Sequence, residues 1–405
     1  MSTRAPEKRK KIYINSPGCP GTDTMEETMN YIGVDLHKDN MTIVGVNEKG
    51  DVFVKERMAP KCIGKIEEFF SQESLHPCKI VCESIGFYHW FYDLISQKVD
   101  QFILANPIET RKYSWNNPKT DFRDATKLAL LLAGGEFERN KALSCYIPDK
   151  VERAFRETTR VRFHLVRRKT SIINSARRIF LKNNLAGPKI LNYSTLSQFI
   201  NKYGDRFNEI HRKFLYIFAE DLFYLEKQIS DIEREIHNFL SMERFARIHK
   251  ILITMPGVGD MVSAVLISEI GNFRRFPDPE FLASYAGMVP KVFQSDQKIR
   301  YGKITKEGSV YIRYALVNAS WVAVREDERI RRIFGRIAKR AGRKKAIVAI
   351  GRKILIWSWH LVIKNETWGS LNNEFPAENR SGMTLERVLN EMKKRDEFIQ
   401  KNSVA

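Results

Sequence analysis

Beginning at Tyr31 the chain alternates apolar and polar residues in three short runs, Tyr31 to Leu36, Met41 to Val46 and Asp51 to Arg57, joined by brief polar turns such as Glu48-Lys49-Gly50. Period-two alternation of this kind predicts half-buried strands, and such tight connections predict an antiparallel meander. The pattern then changes to a helix near Ile63 to Gln72, a strand Lys79 to Glu83, a helix Tyr88 to Gln97, a strand Gln101 to Leu104 and a helix opening at Asp121. A meander followed by alternating helices and strands predicts an α/β sheet of the ribonuclease H type, with carboxylates carried to the strand ends.

From Val151 to about Asn184 the apolar Val166, Ile173 and Phe180 recur at heptad spacing. This predicts a long helix with one packed face and one basic face bearing Arg153, Arg156, Arg160, Arg167 and Arg168. After a linker at Gly187-Pro188, a second long helix is expected from roughly Asp205 to Ala246, where Ile210, Phe214, Ile217, Leu225, Ile229, Ile232, Ile236 and Phe239 keep a heptad rhythm broken once at Asp221. Such a seam requires a partner, either the preceding basic helix or a second subunit. A further unit opens at Met255-Pro256-Gly257-Val258-Gly259, where glycine amides could approach a phosphate or simply turn the chain between helices. The expected division is a basic arm over 1–28, an α/β domain over 29–145, a helical coiled-coil-like connector over 146–248, a mainly α C-terminal domain over 249–370 and a polar tail over 371–405.

Charge narrows the function. Lys and Arg number 68 against 48 Asp and Glu, a net +20, and so large an excess calls for a polyanionic partner, nucleic acid first. No uninterrupted apolar run of about 18 residues and no secretory leader are evident, so a cytoplasmic, nucleoid-associated protein with no membrane partner is expected. The five cysteines are odd in number and scattered, which argues against a disulfide framework. Cys78 and Cys82 lie four apart, but without a Cys or His pair at zinc-ribbon spacing they argue against zinc.

Candidate chemistry sits at the strand ends. Asp35 closes Ile32-Gly33-Val34-Asp35, Glu83 closes Ile80-Val81-Cys82-Glu83, and Asp121 and Asp124 open a helix three residues apart. Four acids brought to one sheet edge suit two divalent ions about 3.5–4 Å apart. Taken singly, each acid is equally an ordinary surface or helix-start carboxylate.

Together the motifs are specific. Tyr31-Ile32-Gly33-Val34-Asp35-Leu36-His37-Lys38, then Cys82-Glu83-Ser84, then Lys119-Thr120-Asp121 with Asp124-Ala125, resemble the catalytic signature of the DEDD transposases, the group holding insertion-sequence transposases of the IS-one-ten type and Piv-like DNA invertases. The second half is similar as well, in Met255 to Gly259, Phe273-Arg274-Arg275-Phe276, Tyr285 to Pro290, Gln294-Ser295, and Gly308-Ser309 leading to Arg313-Tyr314-Ala315-Leu316. The resemblance implies a RuvC-like N-terminal nuclease domain, the helical connector and a C-terminal transposase domain carrying a nucleophilic serine. By position that serine is Ser295, followed by Asp296 where the family more usually has Gly, and Ser309 is the reserve nucleophile. The resemblance further implies Mg²⁺ (or Mn²⁺) held by Asp35, Glu83, Asp121 and Asp124, with DNA as substrate, a structured guide RNA and a homo-oligomer as partners. Expected nucleic-acid contacts are the connector arginines, Gly257, Gly259, Arg300, Lys303 and Arg313. Two other readings stay open at this point, a RuvC-like nuclease that resolves branched DNA by hydrolysis and a non-catalytic RNA-binding protein.

Overall fold

The computed structural model describes residues 28–113, 120–295 and 298–370, with backbone alone at 294–295, 298–299 and 301. The arm up to residue 27, the tail from 371 and Asp296 therefore lie outside the described residues. The chain divides into two compact units, the first reaching Ile147 and the second beginning at Pro148.

The first unit is a mixed α/β structure. Strands β1 (Asn30–Leu36), β2 (Met41–Val46) and β3 (Val52–Met58) form the expected antiparallel meander, and β4 (Cys78–Glu83) and β5 (Gln101–Ala105) extend it in parallel, giving the order β3-β2-β1-β4-β5. Helices α1 (Ile63–Phe70) and α2 (His89–Ile95) separate the later strands, and α3 (Pro107–Thr110), α4 (Asp121–Ala133) and α5 (Glu136–Arg139) follow β5. Side chains alternate across the sheet. Ile32, Val34, Met41, Ile43, Ile80 and Cys82 pack with α1 and α2 on one face, through Ile66, Phe70 and Phe91. On the other face Val44 and Val46 meet Ala125 and Ala129 of α4, and Val81 meets Leu128 and Leu132. The edge strand β3 is largely exposed and carries Lys55, Glu56 and Arg57, charges that discourage pairing with a further strand.

The second unit is mostly helical, with α6 (Lys150–Lys182), α7 (Tyr193–Tyr203), α8 (Glu209–Ser241), α9 (Glu243–Leu252), α10 (Asp260–Ile270), α11 (Pro279–Tyr285), a hairpin of β6 (Pro290–Ser295) and β7 (Lys298–Ile304), and α12 (Val310–Glu326), α13 (Glu328–Ala341) and α14 (Arg343–Lys364). Asp149 starts α6 with a capping box closed by Glu152. The residues expected to form a separate connector share a core with those that follow them. Phe155 of α6 and Ile236 and Leu240 of α8 pack in one cluster with Ile267, Leu316 and Ile354. At their other ends α6 and α8 enclose a smaller core with α7, around Phe180, Phe199 and Leu222.

One expectation changes in part here. In the second half of α8 the expected seam packs, with Leu225 and Ile236 buried and Ile232 and Phe239 against the core, whereas in the first half Ile210, Phe214 and Ile217 stay 62%, 47% and 52% exposed and Leu215, Ala219 and Leu222 are buried instead. Helix α14 is long and apolar enough by length and composition to cross a membrane, although Arg352 and Lys353 interrupt its apolar residues. It is nonetheless a core helix of this unit, burying Ile350, Ile354, Leu355 and Leu361.

Candidate carboxylate centre

Glycine at position 33 determines where the acids meet. A Cβ built on Gly33 would lie 2.0 Å from the Ala125 carbonyl oxygen and 2.6 Å from the Ala129 nitrogen, so α4 lies directly on the backbone of β1. Asp35, two residues on, shares that face of the strand. Gly33→Ala should therefore push α4 off the sheet and cost about 1–3 kcal/mol. A lowered midpoint in urea unfolding of the full chain checks it, and an unchanged midpoint would show that α4 is not held by this close approach.

Along β1 and β4 the parallel register pairs Val34 with Cys82, and one step further Asp35 and Glu83 stand at neighbouring strand ends. Glu83 lies on the face of Val81, which α4 also covers. Thr110 of α3 donates a hydrogen bond to Glu83 Oε1 at 3.3 Å. Thr120 caps α4, its hydroxyl accepting from the Arg123 amide, which sets Asp121 and Asp124 in the first turn, where the helix dipole favours negative charge. The four predicted acids thus arise from β1, β4 and the start of α4 on one side of the sheet.

The electrostatics couple Asp35 to Asp124 and Asp121. The Asp35 side chain is only 13% exposed. Burial pushes its carboxyl above the usual carboxylate range, His37 opposes that shift, and the charges of Asp124 and Asp121 add to it. His37 Nε2 lies 3.0 Å from Asp35 Oδ2, and donor atoms of Asp35, His37 and Asp121 all fall within 4.8 Å of one another. Arg57 of β3 donates to Asp121 Oδ2 at 2.5 Å. Thr42, opposite Asp35 in the β1–β2 register, is buried with its hydroxyl oxygen lacking a hydrogen-bond partner. An open depression lined by His37, Lys38, Asp39, Asn40 and Asp121 gives access from solvent.

The carboxylate oxygens of Asp35 and Asp121 and the His37 imidazole, from the end of β1 and the start of α4, lie close enough together to share a divalent ion. His37 and Arg57 were not among the expected site residues. The signal for His37 was present, because it follows Asp35 by two positions inside the quoted motif. Nothing local pointed to Arg57, which reaches Asp121 through the pairing of β3 with β2.

In the second unit the expected nucleic-acid contacts fall into two groups. Arg153 is buried. Arg156 donates to the carbonyls of Ser268 and Glu269, and Arg160 forms a two-pronged pair with Glu269, whose side chain is 2% exposed. The Arg156 and Arg160 guanidinium groups bind α6 to α10, a correction to the expectation of one continuous basic face. Gly257 has φ +78°, and a Cβ there would meet the Ala319 carbonyl at 2.2 Å; its amide donates to Glu326 Oε2 at 3.3 Å. Gly259 precedes α10 with open space around it. Arg313 is turned inward to the carbonyls of Ala286 and Gly308. By contrast Arg167, Arg168, Arg300 and Lys303 are exposed, as are Arg336, Lys339, Arg340, Arg343, Lys344 and Lys345 around the α13–α14 junction. Ser295 ends β6 opposite Lys298, and its side chain lies outside the described residues. Ser309 is the N-cap of α12, its hydroxyl oxygen accepting from the Ile312 amide at 3.3 Å.

Two family models match the chain. One described as "Transposase" of the DEDD, IS110 group covers residues 32–183, and one described as "Transposase IS116/IS110/IS902 family" covers residues 249–335. The chain is similar to a probable family 20 transposase of Pseudomonas aeruginosa, 23% identical over 82% of this chain and 96% of the relative. It is similar to the transposase for insertion sequence element IS1328 of Yersinia enterocolitica, 24% identical over 76% of this chain and 87% of the relative. It is also similar to the transposase for insertion sequence element IS1111A of Coxiella burnetii, 22% identical over 83% of this chain and 90% of the relative.

Proposed function

We propose, on the premise that this chain belongs to the IS110-type transposases and is a DNA-cleaving and rejoining enzyme, that its first unit is a ribonuclease-H-like, RuvC-type catalytic domain and that Asp35, Glu83, Asp121 and Asp124 are its metal ligands. The observation that carries this reading is the convergence of Asp35, His37 and Asp121 donor atoms within 4.8 Å, at the strand end where Glu83 stands beside Asp35. When bound there, Mg²⁺ or Mn²⁺ supplies charge neutralisation at the scissile phosphate and polarises the reacting oxygens. The residues of the chain do the rest. Asp35 is held in place by β1 and by α4 seated on Gly33. Thr110 orients Glu83, and Arg57 and His37 offset the repulsion among the acids until they are filled.

In the second unit the proposed nucleophile is Ser295, with Ser309 in reserve. Its hydroxyl oxygen attacks a DNA phosphorus, a P–O bond to the leaving strand breaks, and that strand's oxygen takes up a proton. The serine–phosphate ester retains the bond energy, so rejoining requires no ATP. Element ends and target DNA are the proposed substrates, with a structured guide RNA and further copies of this chain as partners.

Binding should be dominated by phosphate neutralisation at exposed cations. Replacing Arg167 and Arg168 together with Ala should reduce the slope of log affinity against log salt by about 1.4–1.8, from about 0.7–0.9 per phosphate contact. Replacing Arg156 and Arg160 should lower stability instead and leave the slope of the folded fraction unchanged. A filter-binding or anisotropy titration across salt concentrations reads both, and an unchanged slope in the first pair would reject that part of α6 as a nucleic-acid surface.

A further inference from the structure

At the start of β4, away from the carboxylate centre, a second group of donors comes together. His76, Cys78 and Asp100 place an imidazole nitrogen, a thiol sulfur and a carboxylate oxygen within 4.8 Å of one another. Cys78 opens β4 and Glu83 closes it, so the two groups are separated by roughly 16 Å of extended strand. Nothing in the proposed transposase chemistry uses this group.

The spacing of its sulfur and nitrogen suits a shared ion. Cys78 Sγ lies 3.8 Å from His76 Nδ1. Ligand bonds of about 2.3 Å to sulfur and 2.0–2.1 Å to nitrogen at a tetrahedral angle separate the two atoms by about 3.5 Å, so a small contraction suffices. The other imidazole nitrogen, Nε2, lies 2.9 Å from the Phe70 carbonyl oxygen. A carbonyl only accepts, so Nε2 carries the hydrogen and Nδ1 turns its lone pair toward the sulfur. This arrangement, a backbone carbonyl holding the far ring nitrogen, orients histidines that ligate metals. Asp100 is held in turn, Oδ2 accepting from the Cys78 amide at 2.7 Å while the Asp100 amide donates to the Cys78 carbonyl at 3.1 Å. An ionised carboxylate retains acceptor capacity beyond that bond. Cys78 is buried and Asp100 exposed, so the group has an apolar floor and an opening to solvent.

We propose that His76, Cys78 and Asp100 form a binding site for a thiophilic divalent ion of the zinc class, with a fourth position open to water. The site is independent of the acids at the other end of β4. Binding breaks the Cys78 S–H bond, releases its proton to solvent and forms a sulfur–metal bond, with no change of oxidation state. The ion would tie the end of α1, through Phe70 and His76, to the first residues of β4 and the approach to β5. Sequence spacing argued against zinc because it sought a second cysteine pair. The partners are a histidine two positions before Cys78 and an aspartate brought in by the β4–β5 pairing.

The test is a titration of the full metal-free chain with Co²⁺, followed by competition with Zn²⁺. Thiolate-to-cobalt charge-transfer absorption in the near ultraviolet reports sulfur ligation, which carboxylates cannot produce. One equivalent of that absorption is expected in the parent protein, in Cys62→Ser and in Asp35→Asn, the last of which disables the carboxylate centre alone. It should vanish in Cys78→Ser, and His76→Gln should weaken zinc binding by at least about tenfold. Saturating Zn²⁺ should raise the unfolding temperature of Asp35→Asn, in which the carboxylate centre is disabled, and not of the Asp35→Asn, Cys78→Ser double variant. Should Cys78→Ser fail to fold, His76→Gln and Asp100→Asn carry the same comparison. Absence of the band in the parent, or a band that survives in His76→Gln and Asp100→Asn at full strength, would reduce the group to a thiol–imidazole hydrogen bond and overturn the proposal.

Discussion

Asp35→Asn should abolish DNA cleavage while DNA binding stays within a few-fold of the parent. The substitution keeps the shape of the side chain and removes one negative charge from a group that is 13% exposed and crowded by Asp121 and Asp124. A ligand-bound divalent ion contributes several kcal/mol of charge stabilisation to phosphoryl transfer, so the loss should be on the order of a thousandfold in the cleavage rate. Glu83→Gln and Asp124→Asn should behave alike, because each removes the charge of a proposed ligand while keeping the side chain's shape. A ligand must also be ionised. Burial pushes the Asp35 carboxyl up, so protons compete well with the ion for it, and metal-dependent activity should fall as pH is lowered and be partly restored by more Mg²⁺. The measurement is single-turnover cleavage of end-labelled DNA in Mg²⁺ across pH. An Asp35→Asn protein that cuts at the parental rate would displace the centre from this strand end.

The first unit was largely legible because short strands with one face on the core write their register into alternation. The strands were expected within a residue or two of where they lie, and Asp35 and Glu83 were recognisable as strand-end acids. The sequence could not show that Gly33 is where α4 touches the sheet, since a glycine inside a strand has several explanations. Arg57 was invisible for a related reason, as its partner Asp121 comes from a helix far along the chain.

Helices of the second unit are legible in their period, and their packed faces in part, since Phe180, Leu225 and Ile236 are buried as the spacing predicts while the first half of α8 is not. On α8 large apolar residues drew attention to Ile210, Phe214 and Ile217, whereas the buried stripe runs through Leu215, Ala219 and Leu222. Ala219 permits close approach and counts for little on a hydrophobicity scale. The short α7 went unread because Gly187-Pro188 punctuates the chain just before it, although Asn192 and Thr195 form a capping box at its start. Arginines on α6 illustrate the same limit for charge. Arg162 and Lys169 pair with Glu233 and Glu226 of α8, while Arg160 pairs with Glu269 of α10. A basic helical face read alone does not reveal whether it meets acids of its own chain or a polyanion.

The two candidate serines can be separated because they stand in different local structures. Ser309 is a helix cap whose oxygen already accepts from the Ile312 amide, so Ser309→Ala should cost about 0.5–2 kcal/mol of stability and leave recombination in the folded protein intact. Ser295 closes β6 at the hairpin end, with Arg300 and Lys303 exposed on the partner strand, where a side chain that only faced solvent could be shortened without effect on stability. A hydroxyl is a weak nucleophile until a base or metal activates it. If Ser295 performs the attack, the product is a phosphodiester between its oxygen and DNA that survives denaturation. Incubation of the parent with end-labelled element DNA should thus yield a shifted band on a denaturing gel. Ser295→Ala should lose both that band and all strand joining, and Asp35→Asn should lose the band as well. A band retained in Ser295→Ala and lost in Ser309→Ala would transfer the role to Ser309. Free cleaved ends with no covalent band in the parent would instead make water the nucleophile and the enzyme a hydrolytic resolvase.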